Sequence, residues 1–193
     1  MASWIVPAVV VGVAVVLYIW YATLISRRNA AQEALASIDA QLRKRYDLVP
    51  NVLRLAQRFM EHERDLLDSL TELRSKAQAG YDPKDPDQVK EHLEASRGLQ
   101  AGMARLFAVA EEYPDLRSSD TIVEAQQTYA EVEEHIAAAR RFYNSAVASL
   151  NNAAQIFPGS VIANFAGVRP MPYYEAEESV REPINADDYL KAK

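Results

Sequence analysis

The sequence predicts an all-α protein in which an N-terminal transmembrane helix continues into an antiparallel bundle of three to four long helices. Three observations predict it. Residues 4–25 carry no charged side chain. Beyond them, apolar residues recur at alternating steps of three and four along successive runs. Only 6 of 193 residues are glycine, most of them outside those runs, which leaves little of the turn chemistry that β-hairpins need.

The 22 residues of the first segment form a helix of roughly 33 Å at about 1.5 Å per residue, enough to cross a hydrocarbon core of about 30 Å. The segment ends in Tyr18, Trp20 and Tyr21, residues suited to a membrane interface, where a cleaved leader would carry small side chains. Pro7 lies near its start, where a missing N–H costs little. Arg27 and Arg28 follow at once, and no Lys or Arg precedes the segment. The positive-inside rule then gives a single-pass anchor in the cell membrane, with the N-terminus outside and the bundle in the cytoplasm. Residues 1–28 are assigned to the anchor, 29–169 to the bundle and 170–193 to an acidic tail.

The first bundle run reads Leu35, Ile38, Leu42, Arg45, Val49, Val52, Ala56, Phe59, Glu63, Leu66, Leu70, Leu73 and Ala77. Its period is close to that of a coiled coil, and only Arg45 and Glu63 break the apolar seam. A buried charge needs a partner, so both residues call for one on another helix or another chain. Pro50 lacks a donor and biases Val49 away from the helical region, so a kink is expected near residues 46–50. Gly80, Asp82 and Pro83 close the run.

Asp85-Pro86-Asp87-Gln88 opens the second helix, with Asp at the cap and Pro in the first turn. Val89, Leu93, Leu99, Met103, Leu106, Phe107 and Ala110 form its stripe. The third run starts from Ser119 or Asp120 and reads Ile122, Ala125, Tyr129, Val132, Ile136, Ala139, Tyr143, Ala146 and Leu150, with no charged residue among them. Its alanines predict close approach of a neighbouring helix. A short fourth helix is expected from near Pro158, carrying Val161, Ile162 and Phe165. The tail holds Glu175, Glu177, Glu178, Glu182, Asp187 and Asp188 against Arg181, Lys191 and Lys193, too polar to order itself by burial.

Chemistry is sparse. With 21 Lys+Arg against 27 Asp+Glu the net charge is -6, which argues against a nucleic-acid partner. No cysteine is present, so there is no disulfide, thiolate metal site or cysteine nucleophile. No Gly-x-Ser-x-Gly and no glycine-rich phosphate loop occurs. The residues three before His62, His92 and His135 are Phe59, Val89 and Val132, so the Glu-x-x-His motif of di-metal bundles is missing. Glu131 and His135, one turn apart, are the best alternative for a metal-binding or enzymatic site, but two ligands fall short of what a catalytic metal needs. No cofactor and no enzymatic activity are expected.

The first run covers 43 residues, roughly 64 Å of helix, more than the second can cover. Its membrane-proximal part, with Leu42, Arg43, Lys44, Arg45 and Val49, is therefore the expected interaction surface for a second copy of the chain or for other membrane proteins. Arg43 and Lys44 also read as a solvated face paired with Asp39 and Asp47.

Three stretches resemble the LemA family of bacterial membrane proteins. The first is Ile38-Asp39-Ala40-Gln41-Leu42-Arg43-Lys44-Arg45-Tyr46-Asp47-Leu48-Val49-Pro50-Asn51. The second is Val109-Ala110-Glu111-Glu112-Tyr113-Pro114 within residues 106–116. The third runs from Ala139-Arg140-Arg141-Phe142-Tyr143-Asn144 to Phe157-Pro158 and Tyr173-Tyr174-Glu175. The resemblance implies one N-terminal anchor, a cytoplasmic antiparallel helical bundle and no enzymatic activity. A branch of that family is associated with magnetosome membranes, which implies a part in membrane organisation.

Overall fold

A computed structural model describes residues 4–60, 62–117 and 119–175. Those residues form helices and connections, with no strand among them. Helix α1 (Ile5–Ala56) is 52 residues long, about 78 Å at the standard rise. Its first part, through Tyr21, is exposed, and burial begins at Leu24 and recurs at Ala31, Leu35, Ile38, Leu42, Arg45, Val49, Val52 and Ala56. One helix thus supplies both an apolar segment long enough to cross a membrane and the spine of the bundle.

Pro50 does not end that spine: α1 stays helical to Ala56. The cost of proline is a lost N–H bond to the carbonyl four residues back, here Tyr46. Arg74 replaces it, its Nε donating to the Tyr46 carbonyl at 2.9 Å. The chain breaks later, between Ala56 and Arg64, where Met60 plugs the turn and is fully buried. The seam of the first run is therefore carried by two helices. Phe59 falls in the break and is exposed, and Glu63 accepts a long 3.5 Å bond from the Tyr113 hydroxyl.

Helix α2 (Arg64–Ala77) runs back along α1, and α3 (Pro86–Ala110) returns beside it. The start of α3 follows from its sequence. The Asp85 carboxylate accepts from the Asp87 N–H at 3.1 Å and from Gln88 at 3.0 Å, and Pro86 occupies the first turn. Gly102 lets α2 approach closely, because a Cβ there would lie 2.7 Å from a Leu70 methyl. After the single turn α4 (Pro114–Arg117), α5 (Asp120–Gln155) spans the bundle antiparallel to α1, meeting it at Glu133 opposite Arg45 and Ser149 opposite Arg27. The short α6 (Gly159–Phe165) folds under the end of the bundle next to the apolar segment of α1, against α1 and α5.

Residues 171–175, expected to belong to the tail, are laid along α5 with Met171 and Tyr174 buried. The Asn151 amide exchanges two bonds with the Met171 backbone, at 2.9 and 2.8 Å, and the Asn144 amide does the same with Tyr174, at 2.9 and 2.8 Å. The spacing matches. Seven helical residues cover about 10.5 Å and three extended residues about 10 Å. The Tyr143 hydroxyl adds a bond to the Pro172 carbonyl at 2.8 Å. Residues 176–193 of the expected tail lie outside the described residues.

Candidate functional site

The middle of the bundle is organised around a buried cation. Arg45 is 0% exposed, and its Nη1 donates to Glu133 Oε1 of α5 at 3.0 Å. Its Nη2 donates to the Ser96 carbonyl of α3 at 2.9 Å and to the Ser96 hydroxyl, which is also 3.3 Å from the Tyr174 hydroxyl. One guanidinium therefore ties together α1, α3, α5 and the extended segment. Burial is the largest influence and opposes its charge, but Glu133, Tyr174 and Tyr129 together outweigh it and hold the Arg45 pKa above the usual arginine value. The Tyr46 and Tyr129 hydroxyls are pushed up by burial, so both stay protonated around the cluster.

Two turns toward the N-terminus of α1, Asp39 is the centre of a second polar cluster. The Tyr81 hydroxyl donates to Asp39 Oδ2 at 2.6 Å, and His92 Nε2 lies 3.2 Å from Asp39 Oδ1. The rings of Tyr81 and His92 stack with centroids 4.2 Å apart. Burial and the Asp39 carboxylate raise the Tyr81 pKa well above the phenolic range, so the hydroxyl remains a donor. This cluster is the floor of a cleft of about 490 Å³, walled by Leu42, Arg43, Tyr46 and Asp47 of α1 and by residues 77–81.

A cleft with a carboxylate, an imidazole and a flanking guanidinium can recognise a polar group. Its lining contains no serine, threonine, cysteine or lysine to act as a nucleophile. Glu131 and His135 are both exposed on α5. Among the described residues no group of three or more His, Asp and Glu side chains is placed to share a metal ion.

The expected interaction surface is split by the fold. Leu42 and Val49 are 0% exposed, covered within the chain, so they offer no surface to a second copy. The reason is the turn after Ala56: it brings α2 and α3 back along α1, while α5, 36 residues long, covers the other side. Arg45 turns inward with them. Arg43 and Lys44 remain exposed, Arg43 on the cleft wall. Sequence reasoning missed Asp39, Tyr81 and His92 as a set because they come from two helices and a loop. It also missed Asn144 and Asn151, whose signal is two amides at heptad spacing beside the third seam.

The family model described as LemA family matches residues 34–187. Magnetosome proteins MamQ 2 and MamQ 1 of Paramagnetospirillum magneticum are each 30% identical to this chain over 92 residues, 48% of it and 34% of each relative. Magnetosome protein MamQ of Magnetospirillum gryphiswaldense is 28% identical over 92 residues, with the same coverage. The matched stretch spans about a third of the length of these curated relatives.

Proposed function

Since this chain belongs to the LemA family, we propose that it is a membrane-anchored protein whose helical bundle acts by binding rather than by catalysis, as a scaffold for other proteins at a membrane surface. The observation that carries this is α1 itself. A helix that is exposed and apolar from Trp4 to Tyr21 and buried from Leu24 onward has two solvents to satisfy. A bilayer meets the first need, and α5 with α2, α3 and α6 meets the second. The bundle is then a rigid extension of the anchor.

Arg27 and Arg28 place the bundle on the cytoplasmic side in this reading. The Asp39–Tyr81–His92 cleft, with Arg43 at its wall, is the recognition surface: it is concave and carries a carboxylate, an imidazole and a guanidinium. The relatives named as magnetosome proteins support a role in organising a cellular structure, over the third of their length that matches.

The test is photo-crosslinking from Arg43, replaced by a photoreactive residue, in native membranes, alongside metal analysis of the full chain purified in detergent. Discrete adducts that disappear in Asp39→Ala, without a stoichiometric transition metal, are expected. A metal at one or more per chain would contradict the non-enzymatic reading, and absence of any adduct would contradict the cleft.

A further inference from the structure

The membrane-proximal end of the bundle exposes side chains that water disfavours. Phe165 is 93% exposed, Phe157 78%, Ile156 61% and Val161 51%. They sit at the corner between α5 and α6, with Val161 and Phe165 one turn apart on α6. The opposite face of the corner is packed: Gly159 and Ala163 are buried. The exposed residues are therefore the outward half of an amphipathic element, not the fringe of a loosely packed one.

The position of this corner identifies what covers it. A Cβ on Gly159 would lie 3.8 Å from the Trp20 ring, and Ile156 lines a pocket of about 140 Å³ with Trp20, Thr23, Leu24 and Arg27. The corner thus touches α1 on the apolar side of Arg27 and Arg28, level with the last turns of the charge-free segment. Arg27 marks the boundary, its Nη1 reaching across to the Ser149 carbonyl at 3.0 Å.

The sequence carries an independent sign. Residues 142–168 contain no Asp, Glu, Lys or Arg, in a chain that is 25% charged. Burial within the protein does not explain this, because much of the stretch is exposed. A setting where charge is costly does.

We propose that the α5–α6 corner is a second membrane contact, with Ile156, Phe157, Val161 and Phe165 seated in the interfacial layer of the bilayer beside Trp20. The bundle then rests on the lipid surface as well as on its anchor, which fixes the height and direction of the cleft above the membrane. The occupant is lipid, because the patch continues the surface of the membrane-crossing segment. This inference rests on the reading of α1 as that segment.

The chain has no cysteine, so single-cysteine variants of the full chain can carry an environment-sensitive fluorophore in phosphatidylcholine–phosphatidylglycerol vesicles. Phe157→Cys and Phe165→Cys test the corner, Val13→Cys reports the anchor, and Glu134→Cys is an exposed control about 30 Å along α5. The exposure of Phe157 and Phe165 means that these changes spare the core. The expected result is blue-shifted emission at both corner sites, with quenching by lipids bearing a shallow nitroxide several-fold stronger than at the control. If Val13→Cys is quenched by a deep nitroxide while the corner sites match the control, the corner contact is wrong and the anchor stands. If the corner is shielded but unquenched and Phe165→Cys oxidises to a disulfide dimer in the membrane, a second copy covers it and the lipid proposal falls. If Val13→Cys itself is unquenched, the anchor and the corner contact both fail.

Discussion

Replacing Glu133 by glutamine tests how the bundle holds its buried arginine. Arg45 is 0% exposed and Glu133 19%, with 3.0 Å between Nη1 and Oε1. At an effective dielectric of about 20 the gross attraction at that distance is about 5 kcal/mol. Most of it offsets the desolvation of the guanidinium, so the net worth of the pair is small, while removing one partner strands a buried charge at about 3–5 kcal/mol. Solvent reaches part of Glu133, and glutamine keeps an acceptor, so the lower end applies: about 3 kcal/mol. For a chain of this size that is a fall in Tm of about 6–12 °C. Helical circular dichroism of the full chain in detergent, followed on heating, reads it directly. The double variant Arg45→Met/Glu133→Leu, which removes both charges, should recover most of the loss. A Tm for Glu133→Gln equal to that of the unmodified chain, or a double variant no better than the single one, would refute the claim that an unpaired buried charge causes the effect.

Asn151→Ala should release the extended segment, because it leaves the buried Met171 N–H and C=O without partners at about 1–3 kcal/mol. Hydrogen exchange should then show lost protection at Met171 and Tyr174 with α1 unchanged, and unaltered exchange at Met171 would contradict the clamp. Gly159→Ala should lower the Tm by several degrees, since its Cβ would fall 2.0 Å from the Ala153 carbonyl oxygen and the backbone must shift. A Tm equal to that of the unmodified chain would show that the corner yields freely. Stability should fall as pH rises above about 10. Burial raises the folded pKa of Tyr81, Tyr129 and Tyr143, so the unfolded chain loses these protons first and binds fewer of them than the folded one. Their contribution is fully present below the unfolded tyrosine pKa and is lost on the alkaline side. A urea midpoint that holds level from pH 9 to pH 11 would contradict it.

The helices were legible because periodicity and caps are local. The stripe of α3 and its Asp85 cap, the seam of α5 and the start of α6 after Pro158 all follow from residues a few positions apart. The demand of Arg45 for a partner was equally plain, but its answer, Glu133, lies 88 residues away and no spacing rule reaches it. The same distance problem hid the break after Ala56. Pro50 looked like the weak point because the Arg74 side chain that takes over the Tyr46 carbonyl comes from the next helix. Residues 35–50 read as uncovered because the second run is shorter than the first, and Leu42 and Val49, expected at an external interface, are used internally by the fold. The tail was drawn too early for a related reason: composition after Arg169 is polar, and the order of residues 171–175 is imposed by Asn144 and Asn151 from α5.

The proposed function requires that α1 cross a bilayer and carry the bundle with it. Alkaline carbonate extraction of membranes from cells making the full chain, with intact-mass analysis of the recovered protein, tests it most directly. The chain is expected to stay in the membrane pellet at the mass of an uncleaved anchor. Release of the bundle into the supernatant, or a mass lacking the apolar segment, would contradict it.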